Sequence, residues 1–256
     1  VTDPGRLGLA GRTALVTGGT RGVGLAIARK LCAEGCRVVV NHSRPGPEAE
    51  RAVAELTAAG GDALAIRADV REPAALDRLL AEVKERFGRL DVFVHNAATF
   101  HPSPAVGADR AGIAADLALA LDPLLHGAPA LAELMAGGAG RVVAVSSSGA
   151  RSAVPMYVGQ GLAKAALESL VRYLAVELAG RGIAVNAVST AKIDKGAEGS
   201  VTPRPEVAAA LAARTPAGRL TRPEDVADVV ALLCTDEAGW IHGQVITADG
   251  GLGLRG

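Results

Sequence analysis

Apolar and polar positions along the chain follow two periods in turn. Short apolar runs recur at Thr13–Thr17, Arg37–Val40, Ala63–Ile66, Asp91–His95, Arg141–Ser146, Ile183–Val188 and Gln244–Thr247. Each is rich in β-formers and too short for a core helix, so each is predicted to be a buried strand. The segments between them carry helical spacing. Gly22–Glu34 sets Val23, Ile27 and Leu31 on one face, and Glu48–Ala59 is rich in Ala and Glu and ends at Gly60-Gly61. Pro73–Phe87 opens with a proline in its first turn, and Met156–Leu178, Glu206–Ala213 and Glu224–Leu233 also read as helices. Segment 108–136 is almost uniformly apolar, which predicts a helix buried on several sides. Pro123 and Pro129 inside it predict a kink or a split. Residues 189–203 read as an irregular polar loop.

Strand and helix alternate throughout, and most strands are apolar on both faces. That pattern specifies a parallel sheet covered by helices on both sides. No linker and no internal repeat interrupts it. The expectation is one α/β domain over residues 1–256, a doubly wound Rossmann-type fold with about seven strands.

Composition narrows the function classes. The 256 residues are 49% hydrophobic and 21% charged, which excludes a disordered chain. Lys+Arg and Asp+Glu are both 27, so net charge gives no general attraction to nucleic acid or to an anionic membrane. No basic-then-apolar leader opens the sequence and no apolar run reaches the ~20 residues of a membrane span, so a cytoplasmic residence is expected. Cys32, Cys36 and Cys234 have no paired framework and no His or Cys partner at ligand spacing. They read as buried, reduced thiols, with no metal expected.

The first chemical signal is the glycine-rich turn after the first predicted strand, Thr17-Gly18-Gly19-Thr20-Arg21-Gly22-Val23-Gly24. Glycines there let backbone approach a pyrophosphate at a helix N-terminus, although tight strand–helix packing also selects glycine. The end of the second strand reads Asn41-His42-Ser43-Arg44, without the acid that commonly accepts a ribose 2′-hydroxyl. Arg21 and Arg44 are suited to pairing with a 2′-phosphate, which favours NADP(H); the alternative is that both are solvated surface charges.

On these residues the chain resembles the short-chain dehydrogenase/reductase family. Its T-G-x-x-x-G-x-G turn matches Thr17, Gly18, Gly22 and Gly24; its N-A-G stretch appears as Asn96-Ala97-Ala98. Its acid after strand three appears as Asp69, and the likeness runs through Val185-Asn186-Ala187-Val188 to Asp249-Gly250-Gly251, covering essentially the whole chain. The resemblance implies that the glycine turn, with Thr20, Arg21 and Val23, cradles the pyrophosphate. It implies Asp69 and Val70 beside the adenine, Asn96 and Ala97 beside the adjacent ribose, and Ile193 backbone at the nicotinamide carboxamide.

The resemblance also implies a serine, a tyrosine and a lysine at the reacting end. Ser147 and Lys164 stand where the serine and lysine belong, but the usual tyrosine position, four residues before the lysine, is Gln160. An amide has no useful acidity. Tyr157 lies seven residues before Lys164, on the same face of a continuous helix but about 10.5 Å away along its axis. That separation closes if Tyr157 sits before the helix and folds back, which Pro155, Gly159 and Gly161 make feasible. The Tyr-x6-Lys spacing, with Ser147 ten residues before Tyr157, resembles the bacterial type III enoyl-[acyl-carrier-protein] reductases. So do Lys164–Glu168, Tyr173–Leu178 and Thr215–Arg219. With only two tyrosines in the chain, and Tyr173 nine residues past Lys164 on the wrong side, Tyr157 is the one tyrosine acid available.

The expected activity is NADPH-dependent reduction of an enoyl or keto group on a carrier- or CoA-linked acyl or polyketide substrate, with Lys164 orienting the ribose and lowering the Tyr157 pKa. Departures from the family pattern motivate a second expectation, a dinucleotide-binding sensor with little catalysis. Ala120 stands about where many members carry a relay asparagine; Lys195 replaces a common threonine; His95 replaces an asparagine and reads as a packed core histidine. His101 is a reserve candidate for an acid or a substrate contact. The apolar helices 108–136 and 156–178 predict an oligomer, and the resemblance implies that they pair between subunits, in a homotetramer or homodimer.

Overall fold

The computed structural model describes residues 6–194 and 205–254. Seven parallel strands alternate with helices in chain order: β1 Thr13–Thr17, α1 Gly22–Ala33, β2 Arg37–His42, α2 Glu48–Ala58, β3 Asp62–Arg67, α3 Pro73–Phe87, β4 Val92–His95, α4 Arg110–Leu134, β5 Gly140–Ser147, α5 Val158–Ala179, β6 Ile183–Thr190, α6 Pro205–Arg214, α7 Pro223–Leu233 and β7 Val245–Thr247. The strand order is β3-β2-β1-β4-β5-β6-β7. The order reverses between β1 and β4, and ligands of such sheets bind outside the strand C-termini at that point.

Two apolar layers flank the sheet. Leu76, Leu80, Leu124, Leu131, Leu167 and Val171 fill the layer under α3, α4 and α5. Ile27, Leu31, Leu56, Val226 and Val230 fill the layer under α1, α2 and α7. Cys32, Cys36 and Cys234 are buried free thiols, pushed up to about 12 chiefly by desolvation, and so unreactive.

Three expectations need correction. α4 is one uninterrupted helix despite Pro123 and Pro129. A proline leaves the carbonyl four residues earlier without its helical donor. For Pro123 that carbonyl is Leu119, and His95 Nε2 donates to it at 3.1 Å, so the lost bond is replaced from β4. α4 is also long and apolar enough to cross a bilayer by length and composition, contrary to the sequence expectation. It lies instead on the sheet between α3 and α5, its apolar residues part of the core. Finally, β6 runs to Thr190 because its pairing with β5 continues through Ser146–Ser189 and Ser147–Thr190.

His95 is the core histidine the sequence suggests. It is 1% exposed, stacks on Phe93, and meets Thr17 Oγ1 through Nδ1 at 3.3 Å. With Nε2 donating to Leu119, the ring is neutral. Desolvation, and then the charge of Lys164, push it down to about 4. Between that value and the ordinary 6.5 the unfolded chain binds a proton that the folded chain does not. Stability therefore falls as pH drops from about 6.5 to about 4, by about 3 kcal/mol from this residue. Urea unfolding across that range is expected to show a shallower acid loss in His95→Asn than in the parent; equal slopes would contradict it.

Candidate active site

At the reversal point the chain leaves β1 through Gly18 (φ 61) and enters α1 through Gly22 (φ 53), both left-handed. Gly24 lies under this turn: a Cβ there would overlap Gly18 O and stand 2.6 Å from Asn96 Nδ2. Asn96 Nδ2 donates to Thr17 O and Gly18 O, each at 3.1 Å. Thr17 Oγ1 accepts from Asn96 N and Ala97 N, each at 3.0 Å. The ends of β1 and β4 are thus stitched together, with the Asn96 side chain spent on the glycine turn.

The N-cap of α1 is Arg21, which makes no side-chain cap. The first-turn N–H groups and the helix dipole are left to an anion. Arg21, Ser43 and Arg44 are exposed at this end of the sheet, while Thr20 and Val23 are partly buried. Asn41, at the end of β2, is occupied structurally, donating to Ala68 O at 2.9 Å and Ile66 O at 3.3 Å. Asp69 is gripped by Arg71 through Nε at 3.0 Å and Nη2 at 2.5 Å, which holds its carboxyl below the usual range. Sequence reasoning missed Arg71, although an arginine two residues past an acid in a turn was a legible signal. The Val70 side chain lies in the core, which leaves its backbone for an adenine. Ile193 bridges to Thr221, and Asp194 N donates to Thr221 O at 2.8 Å. Lys195 lies outside the described residues.

A glycine cradle with no room for a Cβ at Gly24, an uncapped helix start and basic residues at the β2 end fit a dinucleotide. Gly24→Ala is expected to weaken nicotinamide-dinucleotide affinity at least about tenfold, read by ligand fluorescence, because the turn must shift to admit the methyl. Unchanged affinity would contradict the cradle.

At the reacting end, β5 finishes at Ser147. Ser147 Oγ accepts from Gly149 N at 3.2 Å and from Tyr157 OH at 3.3 Å. Tyr157 is the N-cap of α5 and not a residue within it. Met156 just before it has φ 60, the one positive φ at a non-glycine among the described residues. That reversal turns Tyr157 back over the β5–α5 connection. A Cβ on Gly149 would lie 2.5 Å from the Tyr157 ring, so glycine is needed for the ring to lie there. Phe100 covers the ring, centroids 5.5 Å apart.

Lys164 is 6% exposed, and its Nζ donates to Val145 O at 2.8 Å. Burial pushes it down to about 8, opposed by Asp116. Tyr157 is raised, chiefly by burial; the Ser147 bond pulls it the other way, and Asp116 adds a smaller push upward. The expectation that Lys164 acidifies Tyr157 is therefore corrected: the ammonium is tied to β5, and Ser147 is the group that favours the phenolate.

Gln160 stands where the family tyrosine belongs but serves as a strut, buried and donating to Thr99 O. It anchors the loop after β4. In the same loop His101 Nδ1 meets Asp116 Oδ1 at 2.8 Å. Asp116 is a buried carboxylate that the sequence reading passed over inside an apolar helix; its polarity at a core position was the available signal.

A cofactor cradle at the strand ends and two hydroxyls on a common point define a nucleotide-dependent oxidoreductase of the doubly wound α/β class. The family model described as Enoyl-(Acyl carrier protein) reductase matches residues 18–253. The chain is 40% identical over 246 residues to a 1-cyclohexenylcarbonyl-CoA reductase of Streptomyces collinus, covering 95% of this chain and 87% of that protein. It is 32% identical to a 3-oxoacyl-[acyl-carrier-protein] reductase of Synechocystis, covering 95% and 98%. Among solved structures, a Serratia marcescens short-chain dehydrogenase/reductase mutant superposes with TM-score 0.87 at 30% identity, covering 95% and 98%. The chain belongs to the short-chain dehydrogenase/reductase family. It is an oxidoreductase, and its family binds a nicotinamide dinucleotide.

Proposed function

We propose that this chain is an NADPH-dependent reductase of thioester-linked acyl or polyketide substrates, with the enoyl group favoured over the keto group. The observation that carries the reading is the Tyr157 hydroxyl bonded to Ser147 Oγ, in a Tyr-x6-Lys arrangement with glutamine at the usual tyrosine position. The likeness to a CoA-linked cyclohexenylcarbonyl reductase supports the enoyl assignment. Exposed Arg21 and Arg44, with no acid at the β2 end, support NADP(H). Small-molecule, CoA- or carrier-linked substrates are the proposed partners, in a cytoplasmic homotetramer or homodimer. Leu125, Leu162, Tyr173 and Val176 are exposed on α4 and α5, where such subunits would meet.

The cradle of Gly18, Gly22 and Gly24 with Arg21 would hold the dinucleotide, and Lys164 its ribose. When bound, the nicotinamide supplies a hydride. Tyr157 and Ser147 converge on the place of a thioester or ketone oxygen. In enoyl reduction they stabilise negative charge as it develops on that oxygen and Tyr157 protonates the enolate; in keto reduction Tyr157 protonates the alkoxide. Phe100 packs against the Tyr157 ring. The same donors serve both reactions, so substrate pose separates them. Purified protein with NADPH and matched 2-enoyl- and 3-oxoacyl-CoA tests this: oxidation of NADPH by the enoyl thioester is expected. Oxidation by the 3-oxoacyl thioester alone makes it a ketoreductase. Binding of NADPH without oxidation by either leaves the sensor reading.

A further inference from the structure

A buried polar cluster near Tyr157 is built on Asp116. Its side chain is 0% exposed, on a largely apolar helix. Oδ1 accepts from Thr99 Oγ1 and from His101 Nδ1, both at 2.8 Å, and Oδ2 accepts from His101 N at 3.3 Å. Asp116 also presses on the start of α5: a Cβ on Gly159, two residues past Tyr157, would stand 2.9 Å from Oδ2.

The loop that carries His101 runs along Tyr157. Gln160 holds Thr99 O, the Phe100 ring lies on the Tyr157 ring, and Ser103 N donates to Met156 O at 3.1 Å, with Ser103 and Tyr157 paired as a bridge. His101 sits in the middle of this stretch. Its Nδ1 is held by Asp116; its Nε2 has no partner among the described residues, and its side chain is 41% exposed. An imidazole gripped at one nitrogen by a buried carboxylate and open at the other is built to pass protons. Anchoring alone does not require a carboxylate, since a neutral amide would accept from Thr99 and His101 without the cost of a buried charge.

We propose that His101, oriented by Asp116, restores the proton that Tyr157 loses in each turnover, directly or through one water. The proposal rests on Tyr157 being the proton donor. Tyr157 gives its O–H proton to the reduced substrate and becomes a phenolate. Protonated His101 gives its Nε2 proton to that phenolate and becomes neutral imidazole, keeping its Nδ1–H on Asp116. Solvent reloads Nε2, and no redox partner is needed. The charged groups against His101 are Asp116 and Asp109 from α4: a Cβ on Gly112 would overlap Asp109 Oδ2 and stand 2.6 Å from His101 Cβ. This path leads from the site to solvent without an asparagine at position 120.

Two readouts test it. The ultraviolet titration of tyrosinate needs no substrate, because the chain has two tyrosines and Tyr173 is exposed. Asp116→Asn is expected to move the buried tyrosine's transition to lower pH; an unmoved transition places Asp116 out of touch with Tyr157 and overturns the proposal. This arm decides even if the parent protein reduces no thioester, a result that would sink the reductase reading separately. In turnover, His101→Ala is expected to be slower by about tenfold or more, and added imidazole to restore part of the rate in a saturable way. Turnover within about twofold of the parent, or a loss that imidazole does not relieve, overturns it. His101→Gln, which keeps a donor to Asp116 and so the loop's anchor, is the second variant; it is expected to be slow with an enlarged solvent deuterium effect, and parental turnover there overturns the proposal too.

Discussion

Tyr157→Phe is expected to lower turnover by about 10²–10⁴-fold while leaving dinucleotide affinity and stability nearly unchanged. The ring is held by packing that phenylalanine retains: Gly149 beneath it and Phe100 against it. What disappears is the hydroxyl on Ser147 Oγ. No second phenol substitutes, since Tyr173 is 68% exposed on the far part of α5. Gln160 does not substitute either, because its amide is committed to Thr99 O. kcat/KM with the best thioester, beside a fluorescence titration of cofactor, checks this. A loss below about fivefold would assign the proton to another group.

Lys164→Met is expected to abolish turnover without destabilising the protein. At neutral pH the folded chain carries a buried ammonium whose value has fallen from 10.5 to about 8, which costs about 3 kcal/mol. Methionine removes that cost but leaves Val145 O without its donor, a penalty of about 1–3 kcal/mol. A net change between zero and a gain of about 2 kcal/mol in urea unfolding at pH 7 follows. The pH dependence gives a second check. Between about 8 and 10.5 the unfolded lysine still holds its proton and the folded one has lost it, so the parent gains stability as pH rises through that window. The variant is expected to lack this rise. A variant that is less stable at pH 7 and rises in parallel with the parent would contradict the burial argument.

The architecture was legible because each strand is a closed apolar run and each helix has its own stripe. Strand count, parallel order and the cradle glycines all follow from that pattern and from residues such as Gly18 and Gly24. What was not legible depends on contacts across the fold. The continuity of α4 through Pro123 required a donor from β4, and His95 supplies it to Leu119 O from 24 residues away. Propensity within α4 contains no trace of that bond.

The candidate site divides in the same way. Ser147, Tyr157 and Lys164 were legible from spacing, and Tyr157 does fold back before α5 as its neighbours Pro155 and Gly159 suggested. The backbone reversal at Met156 that brings it there was not, since methionine carries no signal for a positive φ. Nor was the source of Tyr157's environment: the lysine expected to tune it is bonded to Val145 O, while Asp116, unremarked in sequence, acts on both Tyr157 and Lys164. A carboxylate in an apolar helix has no local motif; it becomes meaningful only when Thr99, His101 and Gly159 close around it.

The central claim is that this chain moves a hydride onto an acyl thioester with Tyr157 serving the substrate oxygen. Its most direct test is to supply C4-deuterated NADPH with a 2-enoyl-CoA and locate the label by mass and magnetic resonance. Deuterium is expected on the β-carbon of a saturated acyl-CoA, formed by the parent protein and nearly lost in Tyr157→Phe. Unlabelled enoyl-CoA recovered from the parent, or label transfer that Tyr157→Phe leaves intact, would contradict it.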